Sequence, residues 1–231
     1  MTASTTKTIL IMANSIKKGG RCVAGLEITP VDDYDLGKWI RPVDSSQDEG
    51  TIPLSRTFVG NRGLKPLDRV KIHFKGPTND PFHPEDYEID SSQKWQLEGV
   101  MMPDILDSLP DDSEDLWGAS TASSRKVFPQ QNIKTLRLIK PQGVCFVTAY
   151  REDTPTGIKH RRLLHIEHQG LIHQFSIDDP SFSIRHKLSP LEVGDRNIRI
   201  DLDPFRTIVI ASLTKPFKGY QYKIAATIFE L

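Results

Sequence analysis

The 231 residues carry thirty Lys/Arg against thirty Asp/Glu, with 37% hydrophobic and 8% aromatic side chains, enough for one large or two small packed domains. The longest apolar run near the N-terminus, Ile9-Leu10-Ile11-Met12-Ala13, falls far short of the ~18 residues of a spanning helix and lacks a signal peptide's basic n-region, so a cytoplasmic protein away from membranes is expected. Cys22 and Cys145 are too few for a disulfide framework and lack metal-ligand spacing, which predicts two reduced core thiols and no cofactor or metal.

The neutral total conceals a sorting of charge. Residues 1–79 hold twelve Lys/Arg against eight Asp/Glu, residues 80–115 one against twelve, and residues 116–231 seventeen against ten, giving +4, −11 and +7. At physiological salt the Debye length is ~8 Å, so an acidic stretch leaves distant basic surfaces free to attract a polyanion.

Apolar and polar residues alternate over short stretches broken by Gly, Pro, Asn and Asp, which predicts a mainly β fold. In chain order the predicted strands are Thr8–Ala13, Arg21–Ile28, Trp39–Val43 and Arg69–Phe74, then Val144–Tyr150, Arg162–His168, Leu171–Ile177, Thr207–Ser212 and Tyr222–Phe229. Between the two sets, Asp104–Trp117 is expected to form one or two short acidic helices and Ser120–Arg125 a polar linker. The domain reading is therefore a barrel over 1–79, an acidic insert and linker over 80–125, and a second barrel over 126–231.

A hairpin is expected around Gln169-Gly170, pairing Ile166 with His173 and Leu164 with Phe175. That register places Leu164, Ile166, Leu171, Phe175 and Ile177 on a core face, with His165, Glu167 and Gln174 turned to solvent or a ligand. His168 and His173 share the apolar face while His165 points away, so the histidines do not converge as zinc ligands must. Gly20-Arg21-Cys22 and Gly143-Val144-Cys145 also place similar tripeptides at strand starts, a weak internal echo that favours two similar small barrels.

Several segments together resemble the dual OB-containing domain family of bacteria. They are Ala13-Asn14-Ser15, Lys18-Gly19-Gly20-Arg21-Cys22-Val23-Ala24-Gly25, Gly37-Lys38-Trp39-Ile40-Arg41-Pro42-Val43, Leu67-Asp68-Arg69-Val70 and the C-terminal stretch from Ser212 to Ala226. The resemblance implies two OB-like barrels and a role in nucleic-acid transactions, with defence against mobile elements one such setting. It carries over no catalytic or binding residues.

Three segments combine cations with aromatics or glycines. Lys17, Lys18 and Arg21 flank a two-glycine turn that offers either a phosphate cradle or an ordinary hairpin tip; it is no P-loop. Trp39 and Arg41 lie on one face of a strand, suited to stacking a base and pairing a phosphate, or to plugging a barrel. Lys215, Phe217, Lys218, Tyr220 and Lys223 interleave charge and rings as a groove for unpaired nucleic acid requires. Lys159-His160-Arg161-Arg162 makes a basic strand entrance. The acidic stretch Asp104–Asp115 suits charge mimicry against a basic barrel better than a two-metal nuclease site, which needs carboxylates fixed by rigid elements.

These features predict a non-catalytic module binding single-stranded nucleic acid in preference to duplex, with little sequence preference and with a partner enzyme. The alternative is an adaptor for a protein or small ligand whose acidic insert contacts the partner. No triad, P-loop or metal constellation points to an enzyme.

Overall fold

The computed structural model describes residues 4–17, 19–29, 36–111, 116–118, 121–126, 133–194 and 196–231. The chain divides into two compact units, Met1–Leu109 with Gln130–Leu136, and Pro110–Pro129 with Arg137–Leu231. Among the described residues no helix is long and apolar enough to cross a membrane.

In the first unit β1 (Thr5–Lys17), β2 (Gly20–Ile28) and β3 (Leu36–Val43) form an antiparallel meander. β4 (Phe58–Val59) and β5 (Arg62–Gly63) make a separate small ribbon, after which β6 (Asp68–Pro77), β7 (Asp86–Ile89) and β8 (Gln96–Val100) join the main sheet. β3 runs parallel to β7, β7 antiparallel to β6, and β6 antiparallel to β1. The order β1-β2-β3-β7-β6 thus closes on itself as the five-stranded Greek-key barrel that the resemblance implies. Alternate residues fill it: Ile9, Ile11, Val23, Ile40, Val70, Ile72, Phe74 and Ile89 are buried in one cluster.

Gly20 shows why the β1–β2 turn is glycine-rich. A Cβ there would lie 2.5 Å from the carbonyl oxygen of Ile52, while Gly19 takes a φ of +82°. Arg21 and Ile52 exchange backbone hydrogen bonds of 2.8 and 2.9 Å beside it, so the bare position serves backbone packing.

The segment assigned by charge to an insert after residue 79 folds differently in part. β7 and β8 belong to the first sheet, and β7 supplies its closing strand. Its sequence, Asp86-Tyr87-Glu88-Ile89, hides the strand because Asp86 is buried against a cation rather than exposed. Beyond β8 a four-residue helix, α1 (Ile105–Ser108), falls within the expected acidic helical stretch; residues 112–115 lie outside the described residues. Folding therefore redistributes the charge. The first unit counts fourteen Lys/Arg against sixteen Asp/Glu, and the second sixteen against fourteen.

The second unit contains β9 (Ser124–Lys126), β10 (Leu136–Ile139), β11 (Cys145–Thr154), β12 (Gly157–His168), β13 (Leu171–Ile177), β14 (Ile198–Asp201), β15 (Thr207–Leu213) and β16 (Tyr220–Glu230). The sheet runs β10-β15-β16-β13-β12-β11-β14, with β13 parallel to β16. The meander β11-β12-β13 followed by β15-β16 repeats the connectivity of the first barrel, and α2 (Pro180–Arg185) follows the meander. Asp179 caps that helix by accepting from the N–H groups of Ser181 and Phe182 at 2.8 and 3.0 Å, and its other oxygen accepts from Ile228 N–H at 2.9 Å.

The expected hairpin register holds, with Leu164 opposite Phe175 and Ile166 opposite His173 around Gln169-Gly170. Both turn residues have positive φ, 50° and 74°, as a two-residue type I′ turn demands. Leu171 departs from the expected core face: beside the turn it is half exposed, whereas His168 and His173 are buried. Residues 121–125, expected within a polar linker, pair instead with the sheet, together with Lys126. Thr121 O accepts from Gln174 N–H, Ser123 O accepts from Lys223 N–H, both at 2.7 Å, and β9 pairs with β16. The tripeptide echo has no structural counterpart, since Cys22 lies on the second strand of its meander and Cys145 on the first strand of the other.

Candidate nucleic-acid interface

The β15–β16 connection brings the C-terminal cations and aromatics onto a narrow tip. Phe217 and Tyr220 exchange backbone hydrogen bonds of 2.7 and 3.0 Å across Lys218-Gly219, whose φ values are +51° and +81°. Opposed residues of such a pair project to the same side, and both rings are exposed, Phe217 at 61% and Tyr220 at 43%. The ammonium of Lys218 stands 5.3 Å from the Phe217 ring centroid. Lys215 is exposed at the base of the tip, and Lys126 on β9 sits opposite Tyr220. Lys126 gives no signal in the sequence, because a three-residue strand inside a polar stretch has no periodicity to betray it.

Below the tip, β16 alternates as expected but with the polar face inward. Tyr220, Tyr222 and Ile224 lie outward while Gln221 and Lys223 are buried at 2% and 0% exposure. Lys223 Nζ lies 3.5 Å from Nδ1 of His173 and 6.0 Å from the Phe175 ring centroid. A lysine so enclosed does not reach a phosphate in solvent. Among the described residues no group of three or more His, Cys, Asp or Glu is placed to hold a metal ion.

The first unit uses its candidate residues structurally. Trp39 is buried, and Arg41, also buried, donates from Nη1 to Asp86 Oδ1 and from Nη2 to Thr135 Oγ1, both at 3.0 Å. Thr135 is held in turn by Glu85, which accepts from its N–H at 2.6 Å and its hydroxyl at 2.9 Å. Burial opposes the charge on Arg41, yet Asp86, and behind it Cys22 and Glu85, hold its pKa above the ordinary arginine value. The proposed base-and-phosphate pair Trp39–Arg41 is thus core and a buried ion pair. Lys17 donates to the carbonyl of Glu49 at 3.1 Å and faces its carboxylate at 3.2 Å; Arg21 is half-buried; Lys18 lies outside the described residues.

The outward face of β11, β12 and β14 carries a second cluster, made of residues that sequence patterning does not join. Phe146 lies opposite His165 on one side and Asp201 on the other, so its ring is flanked from both neighbouring strands. The His165 ring is stacked on it at 4.4 Å and 4°, and the guanidinium carbon of Arg199 stands 3.9 Å from the Phe146 centroid. Thr148 Oγ1 and His165 Nε2 are hydrogen-bonded at 2.9 Å, and burial, with Arg199 second, lowers the His165 pKa from its ordinary value. Sheet alternation turns His165 toward solvent or a ligand, but its partners come from strands distant in sequence, and β14, four residues long, is not among the predicted strands.

No curated protein matches the chain. A family model described as the dual OB-containing domain matches residues 7–228, and its two OB-type barrels account for the meander and the parallel strand pair that recur in both sheets. The chain belongs to the dual OB-containing domain family.

Proposed function

We propose that this chain is a non-catalytic module that binds single-stranded nucleic acid through its second unit, with little sequence preference. The observation that carries the reading is the β15–β16 tip, where the exposed rings of Phe217 and Tyr220 share one face, Lys218 stands beside the Phe217 ring, and Lys215 and Lys126 are exposed at its base. Lys218 holds a left-handed φ of 51° at a position where Asn or Gly is favoured. Exposed rings stack on bases irrespective of sequence, and lysines beside them follow the phosphates. In OB-type barrels the connection between the fourth and fifth strands flanks the ligand face, and β15–β16 is that connection here.

Titrating a fluorescently labelled oligothymidylate between about 50 and 200 mM salt tests the reading, since counterion release makes affinity fall steeply over that range. Replacing Lys215 and Lys218 with Ala is expected to weaken binding and reduce the salt slope by nearly one unit for each phosphate no longer neutralised. Phe217→Ala is expected to weaken binding at constant slope. Affinity that is absent, or indifferent to salt, rejects the proposal in favour of an adaptor.

A further inference from the structure

We propose that the Arg199–Phe146–His165 stack is a nucleobase subsite, in which an unstacked base enters between the guanidinium of Arg199 and the ring of Phe146. The inference rests on the binding reading above and assigns that function a second point of attachment, on the sheet face rather than at the loop tip.

The two sides of Phe146 are held very differently. On one side the ring is backed by His165, which lies parallel at 4.4 Å and is fixed by its hydrogen bond to Thr148. On the other the covering layer is Arg199, whose side chain is 57% exposed and whose Nε and Nη2 both donate to Asp201 Oδ1, at 2.9 and 2.8 Å. An ion pair between exposed neighbours of one strand contributes little, so the guanidinium can lift by about 3.4 Å, the repeat of stacked bases, at small cost. A base in the gap gains a ring below and a planar cation above, the two partners that unpaired bases use most.

The surroundings fit a base on a polyanion. The charged groups on this outward surface are Arg199 and Asp201 from β14, Arg161 and Glu167 from the strand of His165, and Lys159 and Glu152 further along the β11–β12 pair; β13 presents uncharged Gln174 and Ser176. Arg161 Nε donates to Glu152 at 2.7 Å, and Arg199 is the cation that stands over the Phe146 ring, at 3.9 Å. His165, its pKa lowered, backs Phe146 at neutral pH as an uncharged ring suited to face-to-face stacking.

Photocrosslinking the intact protein to a single-stranded oligonucleotide of about twelve nucleotides, within the span of one OB-type barrel, tests the subsite. With 5-iodouracil at each position in turn, peptide mapping is expected to place a crosslink at Phe146 or His165. In parallel, Phe146→Leu is expected to weaken binding of the same oligonucleotide about five- to hundredfold with an unchanged salt slope. Crosslinks confined to Phe217 or Tyr220, with wild-type affinity in Phe146→Leu, overturn the subsite and leave the binding function standing. If the oligonucleotide neither binds nor crosslinks, the binding function itself is wrong and the subsite falls with it.

Discussion

Arg41 and Asp86 meet across the parallel pair β3–β7, Nη1 donating to Oδ1 at 3.0 Å with both side chains buried. Removing one partner of such a pair strands a charge, typically at a cost of ~3–5 kcal/mol, whereas replacing both with apolar groups of similar volume is often neutral. Arg41→Met is therefore expected to lower the urea midpoint sharply, and Arg41→Met with Asp86→Leu to recover much of the loss. A double variant destabilised by the sum of the Arg41→Met and Asp86→Leu effects would show that the pair is not coupled.

Much of the sheet is legible in the sequence because barrel strands alternate with period two, and all nine predicted strands lie on observed ones. What stays hidden has physical causes. β7 reads as acidic coil because its charges are matched by partners distant in sequence, Asp86 by Arg41, with Glu88 accepting from Ser45 and facing Lys75. Trp39 and Arg41 look like a ligand face because alternation tells which residues share a side, not whether that side is covered. The same limit inverts Lys223. The tip residues Phe217, Lys218 and Tyr220 stand out because hairpin chemistry is local, while the Phe146 stack needs β14, far along the chain.

Gly20 gives a prediction at the β1–β2 turn. Its missing Cβ leaves room for Ile52 O, a backbone atom that cannot swing aside. Gly20→Ala is expected to destabilise the first unit by about 1–3 kcal/mol, the range of an overpacked core. Gly19→Asn, on a left-handed φ with no neighbour in the way, is expected to cost much less. Thermal unfolding of the two variants checks the order.

Burial pushes the Cys145 thiol up to about 12 from an ordinary 9.0. Between those values the unfolded chain has lost the proton and the folded chain keeps it. Stability contributed by the neutral thiol is thus complete below about pH 9 and falls as pH rises, by about 1.4 kcal/mol per unit and at most about 4 kcal/mol in all. Cys145→Ala is expected to flatten the alkaline limb of the stability curve relative to the wild type. Parallel limbs would mean that the folded thiol ionises normally.

Lys218 sets stability against binding at one residue. A two-residue turn with both φ values positive favours Asn-Gly, yet the chain places Lys218 before Gly219, at a φ of +51°. A side chain that neither bonds its own backbone nor tolerates the left-handed region costs ~1–2 kcal/mol there, and Asn recovers part of it. Lys218→Asn is accordingly expected to raise the thermal midpoint while removing the cation 5.3 Å from the Phe217 ring. Single-strand affinity should fall, with a salt slope smaller by nearly one unit if that lysine touches a phosphate. Gln169→Asn, at the equivalent place in the β12–β13 turn, relieves the same strain without changing a charge. It is expected to stabilise and leave the salt slope alone. If Lys218→Asn stabilises the protein and binding does not change, the lysine is an incidental occupant of the turn, and the tip no longer supports a nucleic-acid interface.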